Sequence, residues 1–282
     1  MSVADTLLLV LFVIIFSLIA PIGYLAWVRK TERYNTEAWG PLLRAFGYGA
    51  FIGTFISAIL EGIFLLAYSS VIQPDLGLPG GADATLVILA VVVAPFIEEG
   101  MKGLGVWNMR DRIRYVADGL VFGAAVGFGF SFVENMLYGV SALSAGGFMA
   151  LLATIIVRSI SSSLLHGSAT AMTGLGVAEN QLRKGVGHSL AGYYLLAVAM
   201  HASFNLLASI TVVLPLLGVN VPAQYENTLV IVSLMAAIIY AFSVFSHVRT
   251  RITEMQFQGV GPLAHAPKGY AYLTQGTPAR RR

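Results

Sequence analysis

The sequence predicts an all-α bundle that crosses a lipid bilayer seven times, with its N-terminus outside and its C-terminus inside. Three observations carry that expectation. Of the 282 residues, 57% are hydrophobic and only 11% are charged, and mean hydropathy is +0.77. A water-soluble domain of this size has no need for so much apolar surface. The apolar residues fall into seven stretches, each near or above the roughly 20 residues that a spanning helix requires. The basic residues fall only in alternate gaps between those stretches, or inside them.

The first stretch is Thr6 to Val28. Basic residues follow it and no small-residue cleavage site precedes its end, so it reads as a retained span and not a signal peptide. Arg29, Lys30, Arg33 and Arg44 occupy the next polar segment, where Gly40-Pro41 suggests a turn or a short surface helix. The second span is Tyr48 to Val71 and contains a lone acid, Glu61, which reads as a packing contact or a rim residue near water. A loop through Pro74, Asp75, Pro79, Gly80, Gly81 and Asp83 leads to the third span, Leu86 to Val106. Arg110, Arg112 and Arg114 come next. Further spans follow at Val116–Ser141, Phe148–Leu175, Gly187–Leu214 and Leu229–Val248.

Charge placement tests this count. With the N-terminus outside, the cytoplasmic segments are 29–47, 107–115, 176–186 and everything after 248, and they hold fifteen of the seventeen lysines and arginines. The other two, Lys102 and Arg158, lie inside spans. A wrong helix count would scatter the charges over both faces, so the positive-inside rule favours this topology. Residues 1–255 form one integral membrane domain in the cell membrane. Residues 256–282, rich in Gly, Pro and Ala and ending in three arginines, read as a flexible cytoplasmic tail.

Composition also excludes chemistry. The chain has no cysteine, which removes disulfides, thiolate metal sites and cysteine nucleophiles. No fold signal supports nucleic-acid binding. Gly119, Gly123 and Gly127 recur every fourth residue, a pattern for close helix packing.

The informative residues are the polar ones that lie in lipid-length apolar segments. The third span carries Glu98, Glu99 and Lys102, the fourth Glu134 and Asn135, the fifth Arg158 and His166, and the sixth His201 and Asn205. Ionisable groups at such depth cost several kcal/mol unless they face a protein interior or a water-filled cavity. Nine groups on four consecutive helices predict one shared, hydrated site. Glu98 and Lys102 are four apart and share a helix face, as do His201 and Asn205. Glu98 and Glu99 diverge by about 100° around the axis and need not enter one cavity equally.

Carboxylates, imidazoles and an amide suit hydrolysis by activated water. One glutamate would take a proton from water as it attacks a carbonyl, with its neighbour and Lys102 tuning its basicity. His201 and Asn205 could donate to the developing oxyanion, and His166 could orient the water or protonate the leaving amine. Arg158 is best read as a partner of Glu134, and Ser161, Ser162 and Ser163 could form a structural polar network with His166. Metal-assisted hydrolysis is the alternative, with zinc on His166, His201 and Glu98, although no H-E-x-x-H signature supports it. Intramembrane charges also mark proton- or ion-coupled transporters, but no symmetric pair of broken segments is visible. A non-catalytic scaffold on the same fold is the bland alternative.

Four local patterns add a family resemblance. Glu98-Glu99-Gly-Met-Lys102 fits EExxK, and Phe130-Ser-Phe-Val-Glu134-Asn135 fits FxxxEN. Arg158 with His166 resembles the next motif, and His201-Ala-Ser-Phe-Asn205 fits HxxxN. In this order the set, covering about residues 86–207, resembles the PrsW family of intramembrane proteases, relatives of the CAAX prenyl endopeptidases and other glutamic-type membrane peptidases. The resemblance implies catalysis by Glu98 and Glu99, completed by Glu134, His201 and Asn205. It also implies a membrane-anchored protein substrate, such as the anti-sigma factor cut by the family's namesake. Lys102 and Glu134 stand where the prenyl endopeptidase branch has Arg and His, which disfavours a prenylated substrate. The expected catalytic set is therefore Glu98, Glu99, Glu134, His166 and His201, supported by Lys102, Asn135, Arg158 and Asn205, without a metal cofactor. Nothing in the sequence sets an oligomeric state.

Overall fold

A computed structural model describes residues 2–33, 36–73, 82–183 and 190–256. The loop at 74–81, the segment 184–189 and the tail from 257 onward lie outside the described residues, so the expectations placed on them have no structural counterpart. The described chain is helical throughout, with no strand. Along the chain come α1 (Val3–Thr31), α2 (Trp39–Ile72), α3 (Asp83–Asn108), α4 (Val116–Ile160), α5 (Ser162–Arg183), α6 (Leu190–Ala208), α7 (Ile210–Leu216) and α8 (Ala223–Met255).

Six helical stretches are long and apolar enough to cross a membrane. One of them, Val116–Leu182, is 67 residues long. At about 1.5 Å per residue it would extend about 100 Å, far beyond a hydrocarbon core of about 30 Å. It does not run straight. Gly147 has φ of 73°, a left-handed conformation open to glycine because it lacks a Cβ, and the chain folds back there.

The returning half packs antiparallel on the first, and glycine is what lets it. A Cβ at Gly119 would clash with the Gly174 carbonyl, one at Gly123 with the Thr170 carbonyl, and one at Gly127 with the His166 carbonyl. As one number rises by four the other falls by four, the register of a helical hairpin. The expected small-residue stripe is therefore a backbone-to-backbone seam, and it fixes α5 against α4 at His166.

Around this hairpin the other helices bury one face and leave the other apolar and outward. Leu25 and Val28 of α1, Leu42 and Phe46 of α2, and Ala237, Ala241 and Phe245 of α8 join the core around Phe122 and Phe128. Leu7, Leu8, Phe55, Ile63 and Ile239 remain exposed. In water such a surface would aggregate, whereas in a bilayer it meets its own kind of solvent.

Several boundaries differ from the sequence expectation. The second helix begins at Trp39 rather than Tyr48; Gly40-Pro41 lies in its first turn, the helical one of the two alternatives expected there, as proline in a first turn permits. The sixth helix breaks at Ser209, separating Leu190–Ala208 from Ile210–Leu216. Among the described residues, the basic stretches at 29–33, 110–114 and 249–251 gather at one end of the bundle. There the Arg33 backbone N–H donates to Gln256 at 3.1 Å, and Arg249 Nε donates to Thr31 Oγ1 at 3.1 Å. Glu37, Arg112, Arg114 and Asp118 line a single cleft at that end.

Candidate active site

The site starts from an irregularity in α3. Residues Ile88–Val93 are wound as a π-helix, a local form that recurs at functional sites. Within it the Ala94 backbone N–H bonds the Leu89 carbonyl, five residues back. The next bond in that series would join residue 95 to the Ala90 carbonyl, but residue 95 is proline and has no N–H. Asn205 supplies the missing donor. Its Nδ2 lies 2.8 Å from the Ala90 oxygen, tying α6 to α3 about two turns before the paired glutamates.

Lys102 is the hub of the polar cluster. Its side chain is fully buried, and Nζ lies 3.0 Å from Glu98 Oε2, 2.8 Å from Glu99 Oε1 and 2.8 Å from His166 Nδ1. Nζ also sits 4.0 Å from the centre of the Phe130 ring, a cation–π contact that takes up the remaining side. An ammonium has donors and no acceptor, so Nδ1 of His166 must offer its lone pair. The proton of a neutral His166 is then on Nε2, which faces Glu134 Oε2 at 2.6 Å. Both ring nitrogens are thus engaged and the tautomer is set.

Glu134 is held from a second side. Arg158 Nη2 lies 2.8 Å from Glu134 Oε2. The same guanidinium donates to Asn135 Oδ1 at 3.1 Å and to Ser162 Oγ at 3.0 Å, and stacks over Tyr138 at 3.8 Å. Asn135 in turn donates to Ser163 Oγ at 3.0 Å. This network bridges α4 and α5 where the helix breaks at Ser161.

The paired glutamates divide their roles by direction, as a 100° offset requires. Both oxygens of Glu99 are occupied: Oε1 by Lys102 and by His201 Nδ1 at 3.1 Å, Oε2 by Thr170 Oγ1 at 3.0 Å. Glu98 instead borders a cavity of about 360 Å³ together with Glu134, Arg158, Asn205 and Glu61. His201 Nε2 lies 3.9 Å from Glu98 Oε2, and the two imidazoles stand edge to face, 4.7 Å apart. On the other side of α3, Glu99 floors a mostly apolar groove lined by Gly103, Trp107 and Tyr194.

The structure brings Glu98, Glu99, Lys102, Glu134, His166 and His201 into one contact network, with Arg158 and Asn135 attached through Glu134. Asn205 lines the cavity but gives one of its amide hydrogens to a backbone carbonyl. Sequence reasoning missed Thr170, Tyr138 and the lysine–phenylalanine contact. Thr170 was findable, since it lies four residues after His166 and so on the same helix face.

Could these residues hold a metal? One oxygen of Glu98 and one ring nitrogen each of His166 and His201 lie within 4.8 Å of one another, all buried. Two imidazoles and a carboxylate are a donor set that zinc accepts, leaving a fourth position for water. In the arrangement observed, the Lys102 ammonium already contacts Glu98 Oε2 and His166 Nδ1, so an ion on those atoms would require Lys102 to withdraw.

A family profile described as "PrsW family intramembrane metalloprotease" matches residues 37–245. A protein named Protease PrsW, from Clostridioides difficile (strain 630), is 29% identical over 115 residues, covering 40% of this chain and 44% of that protein. The chain thus aligns with less than half the length of that relative. No solved structure matches it.

Proposed function

The chain belongs to the PrsW family of intramembrane proteases, and from that premise we propose an endopeptidase that hydrolyses a peptide bond of a membrane-anchored protein with water activated by Glu98. The observation that carries the proposal is the division between the two glutamates. Glu99 has both oxygens engaged by Lys102, His201 and Thr170, whereas Glu98 borders the cavity.

In this reading Glu98 takes one proton from water as the water oxygen bonds to the scissile carbonyl carbon. Lys102 holds Glu98 in place, and Glu99 orients His201 through Nδ1, turning Nε2 toward Glu98. The second amide hydrogen of Asn205 is available to the oxyanion, a contribution of about 3–4 kcal/mol where one such donor has been removed elsewhere. Glu98 then returns its proton to the leaving nitrogen as the C–N bond breaks. Glu134, held by Arg158 and His166, lines the cavity on the same side as Glu98. The substrate enters from the bilayer, and a membrane-anchored regulator of the anti-sigma-factor kind is the class the family suggests. The hairpin at Gly147 divides the longest apolar stretch into two passes, which gives seven in total, N-terminus out and C-terminus in.

A second reading rests on the three-donor cluster and on the profile's metalloprotease description. Glu98, His166 and His201 would hold a zinc ion that polarises the carbonyl and acidifies water. Glu99 would then serve as the orienting partner of His201. Cleavage of a single-pass reporter in proteoliposomes tests both. Glu98→Gln should lower the rate by about 10²–10⁴. Activity that survives exhaustive chelation supports the glutamate base, and activity lost to chelation and restored by zinc supports the metal. Undiminished cleavage in both Glu98→Gln and Glu99→Gln would overturn the assignment.

A further inference from the structure

Opposite the catalytic cluster, the cavity wall is built by α2, and it carries two polar atoms with nothing to bond. This helix is otherwise suited to lipid, with Phe55, Ile59, Ile63 and Leu66 exposed. Thr54, Ser57 and Glu61 fall three and four residues apart, so they form one stripe, and that stripe lines the cavity shared with Glu98 and Glu134. Thr54 Oγ1 donates to the Gly49 carbonyl at 3.0 Å. Ser57 Oγ and Glu61 Oε1 are buried, and neither has a hydrogen-bond partner among the described residues. An unsatisfied polar atom at this depth costs on the order of kcal/mol. A satisfied packing contact would not leave it so, and the cavity is where a partner can arrive.

The charges around the cavity say what kind of partner. Three carboxylates line it, Glu61, Glu98 and Glu134, against one guanidinium, Arg158. Arg158 is already 2.8 Å from Glu134, and the Lys102 ammonium behind the wall is held by Glu98 and Glu99. Glu61 has no cation of its own in either network. A cationic side chain, rich in donors and free of acceptors, satisfies both Glu61 and the hydroxyl one turn before it.

We propose that Glu61, with Ser57, is the specificity-determining element of the cavity and receives a lysine or arginine of the substrate beside the scissile bond. This rests on the protease reading and adds the chemistry of the substrate to it. Glu61 takes no part in bond breaking.

The test uses the full chain in proteoliposomes and a library of single-span peptides with randomised juxtamembrane residues, products being sequenced by mass spectrometry. The wild type should enrich Lys and Arg over Leu by about tenfold at one position beside the cut, as a hydrogen bond to a charged group implies. Glu61→Gln should level that preference, and Glu61→Lys should turn it toward Asp and Glu at the same position. A binding arm separates recognition from chemistry: immobilised Glu98→Gln protein should retain cationic library members, and Glu98→Gln with Glu61→Gln should not. Such retention without any cleavage by the wild type would support the inference while defeating the protease reading. An unchanged cleavage profile in Glu61→Gln would overturn the inference and leave the protease standing, and absence of both cleavage and cation-dependent retention would overturn both.

Discussion

Nζ of Lys102 lies 2.8 Å from Nδ1 of His166, so a lysine on α3 dictates which nitrogen of a histidine on α5 carries the proton. The contact also places an ammonium against two members of the potential metal-binding trio. Lys102→Met should therefore free Glu98 Oε2 and His166 Nδ1 and tighten zinc binding by tenfold or more, measured by calorimetry and elemental analysis. It leaves two buried carboxylates without their cation, which costs about 3–5 kcal/mol, so the thermal midpoint should drop and cleavage should fall at least about a hundredfold. Zinc affinity unchanged by the substitution would show that the lysine does not compete for the site.

Asn205 has two separable duties, and Pro95 is the means to separate them. The Nδ2 bond to Ala90 replaces the N–H that proline lacks. Asn205→Ala should cost about 1 kcal/mol of stability, a typical net hydrogen bond. Pro95→Ala restores a backbone donor at position 95, so the double variant should lose less than the sum of the single losses. If the amide also serves the oxyanion, cleavage stays low in the double variant while stability recovers. A cycle that is additive in the thermal midpoint would argue against the proline account.

Much of this site was legible because its first links are local. Glu98, Glu99 and Lys102 are three and four residues apart, and helical geometry alone brings the amine to both acids. What joins the helices was less legible. The glycine spacing indicated a packing seam but not its partner, and only the fold shows that Gly127 rests on the carbonyl of His166 and so delivers that ring to Lys102. The π-turn at Ile88–Val93 has no clear signature in an apolar run, so the tie from Asn205 to Ala90 was invisible and Asn205 read as a free donor. Helix ends went wrong where hydropathy is continuous. Ser209 breaks a helix inside an apolar run, and at Gly40-Pro41 the local sequence left a turn and a short helix equally open.

The proposed topology is open to a direct measurement because the chain contains no cysteine. Single cysteines can therefore be introduced without background. Ala145, exposed beside the Gly147 turn, and Asp111, exposed among the arginines, lie at opposite ends of the first helix of the hairpin and its approach. In intact cells an impermeant maleimide should label Ala145→Cys, and should label Asp111→Cys only after permeabilisation. The reverse pattern would invert the orientation, and labelling of both from outside would mean that the Gly147 hairpin does not cross.

Glu32 gives a pH dependence at the basic end, outside the spanning helices. It is 2% exposed and accepts the Glu37 backbone N–H at 3.0 Å. Burial pushes its carboxyl up from 4.5 to about 8, opposed by that hydrogen bond and reinforced by Asp118. An acid held more strongly protonated in the folded state stabilises fully below its unfolded value. That contribution is lost as pH rises through the folded one. Stability should therefore decline between about pH 5 and pH 8, with Glu37, pushed up to about 7 by burial, adding to the slope. Glu32→Gln keeps an acceptor for the Glu37 N–H and cannot ionise, so it should match the wild type at pH 5 and melt several degrees higher at pH 8. Thermal midpoints in detergent across that range check this. Parallel pH profiles for the two proteins would mean that Glu32 is ionised at no cost in the fold, and the declining slope would then have to come from Glu37 alone.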